Sequence, residues 1–117
     1  MDIIQMLKAQ NIQIKKQNEE ILTGELEQYK VIQQAIRHYG NKHQVDKAIE
    51  EMAELIQVLM KHRIEFNRDN IIEEIADVEI MMQQLCLIFK CSDEVVNMRR
   101  QKIERLKRNI ENESIQR

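Results

Sequence analysis

Apolar residues recur along most of this chain at intervals of three and four, the period of a helix with one greasy face. Val45, Ala48, Met52, Leu55, Ile56 and Leu59 predict a helix over about 44–63, and Ile71, Ile75, Val78, Met82 and Leu85 another reaching about Phe89. Earlier, Leu26, Tyr29, Ile32 and Ile36 predict a helix from about Glu25 to Tyr39, with Gly40 placed as its left-handed stop. A thinner stripe of Ile4, Leu7, Ile14 and Ile21 marks a first helix over 3–22, which Thr23-Gly24 should break. On a heptad with 4, 11 and 18 at a, Asn11 and Asn18 would set the register of a parallel two-stranded coil; packing on the domain is the other reading. Asn67 or Asp69 can cap the helix after the Ile64–Arg68 connection. Ser92 as N-cap, with Asp93-Glu94 in the first turn, starts a last helix expected to fray beyond about Asn109.

Composition agrees with the pattern. There is no Pro, there are two Gly, and aromatic residues make up 3% of 117, too few turn formers for a β-rich fold. The expected fold is all-α, a bundle of four to five helices, with residues 1–22 as a helical extension and 23–117 as one domain. A formal net charge of -2 supplies no global field for nucleic acid or membrane. No apolar run approaches the roughly 18 residues of a spanning helix, and no basic-then-apolar leader opens the chain, so a soluble cytoplasmic protein is expected. Cys86 and Cys91 fit neither a disulfide framework nor a zinc pattern and read as half-buried free thiols.

Acidic residues change this picture. The connection near Ile64 is short enough to force an antiparallel hairpin, in which residues equally far from the turn lie level. Glu51 is then level with Asp77, and Glu54 with Glu74. At 100° per residue, each pair on one helix spans about 60°, and Glu51 and Glu74 each lie about 60° from the apolar stripe. Four carboxylates converging beside a core must take up protons or a cation, and a hard divalent ion shared with phosphate oxygens satisfies them. Acids spaced this way also occur on many solvated helices. A ferritin-like di-iron site is excluded, because no His follows a Glu by three residues.

The string Glu50-Glu51-Met52-Ala53-Glu54, followed by Glu74-Ile75-Ala76-Asp77, resembles the E-E-x-x-E…E-x-x-D signature of MazG-like all-α nucleoside triphosphate pyrophosphohydrolases. Tyr39-Gly40, Gln44 and Lys47 resemble the helix entry of small members, some phage-encoded, so the likeness covers about Leu26 to Lys107. It implies Mg²⁺-dependent cleavage of a nucleoside triphosphate to monophosphate and pyrophosphate, with Mn²⁺ as a substitute. By the same resemblance the metal ligands would be Glu51, Glu54, Glu74 and Asp77. Glu50 or Glu51 would take the proton of the attacking water.

Lys47, Arg99, Lys102 and Arg105 are candidates for the substrate's phosphates, Lys47 equally for an ion pair with Glu51. Tyr39, Phe66 and Phe89 could stack on a base, although Phe89 suits a core position and Phe66 an anchor for the connecting loop. His38, His43 and His62 adjoin helix ends and read as surface or capping groups. A hairpin site is too small to enclose a nucleotide, so a homodimer or homotetramer is expected. Two rival readings are a non-catalytic helical interaction protein and a sister specificity, such as a dUTPase or phosphoribosyl-ATP pyrophosphohydrolase.

Overall fold

The computed structural model describes residues 2–116, and within them the chain is helical with no strand. Four helices follow in order: α1 (Ile3–Tyr39), α2 (Asn41–His62), α3 (Arg68–Ile88) and α4 (Ser92–Gln116). They form two compact units, one ending at Gly40 and the other beginning at Asn41. Among the described residues no helix is long and apolar enough to cross a membrane.

α1 stands as one unit. Asp2 caps it, its carboxylate accepting from the Gln5 N–H at 2.8 Å. The break expected at Thr23-Gly24 is absent, and the helices read as 3–22 and 25–39 are one. Thr23 turns its hydroxyl back onto the helix, donating to the Glu19 carbonyl at 2.8 Å, and a single helical Gly costs only about 1 kcal/mol relative to Ala. The stop comes at Gly40, whose φ of 92 and ψ of 155 suit a residue without Cβ. No residue of α1 is buried.

In the second unit α2 and α3 fold back on one another through residues 63–67. Ile64 and Glu65 both donate backbone N–H groups to the Lys61 carbonyl, at 2.9 and 2.8 Å. Phe66 meets His62 edge-on, ring centroids 5.1 Å apart, which pins the connection. Of the two cap candidates Asn67 serves, accepting from the Asn70 N–H at 3.1 Å.

The hairpin register is fixed by a hydrogen bond at its far end. Gln44 Nε2 donates to Gln84 Oε1 at 2.7 Å, and these residues are equidistant from Ile64. Level pairing about Ile64 therefore holds over the hairpin's length. The chain of donors runs one way: His43 Nδ1 to Gln44 Oε1 at 2.8 Å, Gln44 to Gln84, and Gln84 Nε2 to Met81 Sδ at 3.7 Å. Both glutamines are buried, each 4% exposed.

The seam itself departs from expectation. Ala48 and Met81 are its buried apolar residues, and Gln44, Glu51 and Gln84 are buried beside them. On α3 Ile71, Val78 and Leu85 are half-buried as the predicted stripe requires, but Met81 is enclosed while Met82 and Ile75 face out, at 48% and 43% exposure. On α2, Ile56 and Leu59 are likewise exposed. Polar side chains that satisfy one another occupy the seam, so the apolar pattern alone misplaces its centre.

Replacing Gln44 by Leu strands the buried amide of Gln84 and should cost about 1–3 kcal/mol in urea unfolding. Gln44→Leu combined with Gln84→Met should cost clearly less than the sum of the two single changes. Additive losses would show that the pair does not clasp the hairpin.

α3 ends in a two-bond cap. Cys91 N–H donates to the Cys86 carbonyl at 3.0 Å and Lys90 N–H to that of Leu87 at 3.2 Å, with Lys90 left-handed at φ 52. Phe89, expected in the core, is 64% exposed at this cap. The first helical bond of α4 is accepted by the Cys91 carbonyl from Val95 N–H at 2.9 Å, so the cap residue is Cys91 rather than Ser92. α4 stays helical through Gln116, past the expected fraying point at Asn109.

Candidate metal centre

Glu51 lies on the seam face of α2 one turn beyond Ala48, and is 8% exposed. Glu54 follows three residues later, half-buried, and α3 supplies Glu74, half-buried, from across the hairpin. Each offers a carboxylate oxygen within 4.8 Å of those of the other two. The level pairing and the angular argument thus bring three of the four predicted ligands together. Glu51 is drawn further in than the sequence implies, into the seam rather than along its border.

Asp77 is half-buried and stands outside that tight group, but its charge acts on Glu74. Glu50 is exposed and reaches outward to Lys47 at 3.6 Å. Lys47 makes the predicted ion pair, its Nζ 3.2 Å from Glu51 Oε1. Arg99, Lys102 and Arg105 are exposed on α4, and among the described residues no ion pair joins them to the acidic group. His38 packs edge-on against Tyr39.

Charge balance within the cluster is incomplete. Lys47 answers one oxygen of Glu51, while the other, Oε2, is buried with no hydrogen-bond partner, as is Glu74 Oε2. An unpaired buried carboxylate oxygen is costly, and two of them beside a third carboxylate call for a proton or a cation. The carboxyl of Glu54 is pushed up, first by the charge of Glu51 and then by burial. That of Glu74 is pushed up first by burial and then by the charges of Glu54, Asp77, Glu51 and Glu73. Lys47 is raised in turn, chiefly by its hydrogen bond to Glu51.

These directions set a pH dependence. A carboxyl raised in the folded state binds its proton there at a pH where the unfolded chain has released it, so folding is favoured as pH falls. The window lies between the ordinary carboxylate value of 4.5 and the raised native ones. Melting of the chelator-treated protein should therefore shift upward from neutral pH towards 4.5, and Mg²⁺ should weaken or reverse that trend, because ligands bind it deprotonated. A metal-free melting temperature that falls steadily over the same window would contradict the assignment.

Oxygen-only donors, carboxylate charge and two unsatisfied buried oxygens suit Mg²⁺ or Mn²⁺ and offer nothing to a soft metal. The polar clasp of Gln44, Gln84 and Met81 was not singled out by the apolar pattern. Its one signal is that two glutamines stand at equal distances from the turn, on helical spacing with Ala48 and Met81. Comparison with known proteins adds no relative: no family model, curated protein or solved structure matches this chain.

Proposed function

We propose that this chain is a divalent-cation-dependent hydrolase that cleaves a nucleoside triphosphate to its monophosphate and pyrophosphate, in the manner of the MazG-like enzymes its motif resembles. The observation that carries the reading is the pair of buried, unpartnered oxygens on Glu51 and Glu74 inside a three-carboxylate cluster. Solvated helix acids would turn these oxygens to water.

Glu51, Glu54 and Glu74 would hold the ion, with Asp77 beside them. Bound Mg²⁺ supplies neutralisation of the triphosphate and a more acidic water. Lys47, pinned at the rim of the cluster by Glu51, presents an ammonium that can exchange its carboxylate partner for a phosphate oxygen. Glu50 is solvent-facing, paired with Lys47 at 3.6 Å, and would accept a proton from an attacking water, a role Glu51 shares by position. Arg99, Lys102 and Arg105 are further candidate cations for phosphate charge. A dUTPase or phosphoribosyl-ATP specificity would use the same cluster.

Self-association belongs to the same reading. Among the described residues Ala48 and Met81 alone are buried and apolar, whereas on α4 Val95, Met98, Ile103 and Leu106 line an open apolar groove with Arg99 and Lys102. Ordered helices with so little enclosed core need a partner surface, and a second copy of this chain in the cytoplasm supplies one that carries Arg99 and Lys102 to its neighbour.

A panel of ribo- and deoxyribonucleoside triphosphates, incubated with the protein with and without Mg²⁺, tests the activity. Monophosphate and pyrophosphate in equal amounts are expected. Release of inorganic phosphate instead, or no turnover of any triphosphate, would leave the motif without this chemistry and favour the helical interaction protein.

A further inference from the structure

The cap that ends α3 places the chain's two cysteines against one another. In such a cap the residue at the third position from the helix end and the second residue beyond it are tied by a backbone bond, and their side chains normally form an apolar contact. Here those positions are Cys86 and Cys91, joined through Cys91 N–H to the Cys86 carbonyl at 3.0 Å. Lys90, left-handed at φ 52, makes the turn that brings them together. Both thiols are half-buried, and that of Cys91 is pushed up by burial and by the Cys86 sulfur beside it. A purely structural cap has no need of sulfur at both contact positions.

We propose that Cys86 and Cys91 are a reversible dithiol pair, oxidised by a small-molecule disulfide such as glutathione disulfide to a bridge spanning the α3–α4 junction. The first thiolate attacks a sulfur of glutathione disulfide, forming a mixed disulfide and expelling one glutathione thiolate. The second attacks the protein sulfur of that mixed disulfide and expels the other. Two protein thiols are oxidised by two electrons, glutathione disulfide is reduced to two glutathiones, and the two thiol protons pass to them. Four residues of chain lie between the pair, and the cap sets the two thiols within hydrogen-bonding reach of one another, the juxtaposition from which a bridge can close. About twelve residues of α3, or about 18 Å, lie between Glu74 and Cys86, so this pair stands apart from the carboxylate cluster.

The whole chain is equilibrated in glutathione buffers of graded ratio, quenched with acid and weighed by mass spectrometry, folded and again in urea. Folded protein should accumulate as a monomeric species two hydrogens lighter, free of glutathione. Cys86→Ser and Cys91→Ser proteins should each stop at one mixed disulfide. The effective concentration of the paired thiols should exceed by about tenfold or more the roughly millimolar value of a flexible linker, and should fall to it on unfolding. Mixed disulfides dominating the folded wild type, disulfide-linked dimers, or a ratio unchanged by urea would each overturn the proposal.

Discussion

Glu74→Gln should give a protein that melts higher than wild type in the absence of metal, yet hydrolyses triphosphates at least about a hundredfold more slowly. The two effects share one cause. Glu74 has no cation partner among the described residues, its Oε2 is buried and unpaired, and its charge is opposed by burial and by four neighbouring acids. An amide of the same shape removes the repulsion while keeping the packing, so the metal-free fold gains on the order of a few degrees. The same change takes away one of three charged oxygens that would hold the ion, so the stabilisation by Mg²⁺ should shrink sharply. Melting curves with chelator and with millimolar Mg²⁺, beside initial rates, check both halves. A variant that is less stable without metal and as active as wild type would show Glu74 to be a structural residue. The trade between stability and activity is characteristic of charge collected for function.

The second large effect concerns assembly. Ile103→Glu together with Leu106→Glu puts two charges into the apolar groove of α4, at positions already 48% and 57% exposed in the single chain. If α4 stood free in solution, such changes would alter stability by no more than about 0.5 kcal/mol. If a second copy covers the groove, burying two unpaired charges breaks the contact. Light scattering should then show the assembly falling to monomer, and helicity should decline as the exposed helices lose their cover. The basic residues beside the groove would be separated from a neighbouring acidic cluster at the same stroke, so activity should fall with the assembly. A variant with unchanged mass in solution and unchanged melting would remove α4 from the interface.

How far the sequence carries can be followed at particular residues. Helix type and several boundaries were legible because caps and period agree locally, as at Asn67 and Gly40. Thr23-Gly24 misled, since a breaker signal is weak inside a long helix whose Thr can hydrogen-bond to its own backbone. The level pairing of Glu54 with Glu74 was legible from turn position alone, because a short connection leaves one antiparallel register open, whereas Asp77, predicted level with Glu51, stands outside the tight group. The depth of the cluster was not legible. Periodicity counts apolar residues, and this seam is filled by Gln44, Gln84 and Glu51, whose burial depends on partners across the hairpin. For the same reason Met81, not Met82, is enclosed, and Phe89 ends on the outside of a cap. Arg99, Lys102 and Arg105 could be named as cations from the sequence, but they stand exposed on α4, and among the described residues no ion pair joins them to the acidic cluster.

Whether Glu51, Glu54 and Glu74 act as one cation site separates a metal centre from a structural acidic cluster. Titrating Mn²⁺ into the whole chain while following free ion by electron paramagnetic resonance measures this without any substrate. The wild type should remove Mn²⁺ from solution, Mg²⁺ should displace it, and Glu54→Gln should weaken binding by about tenfold or more while its helicity is unchanged. Equal uptake by the wild type and the folded variant, or none by either, would contradict a shared site.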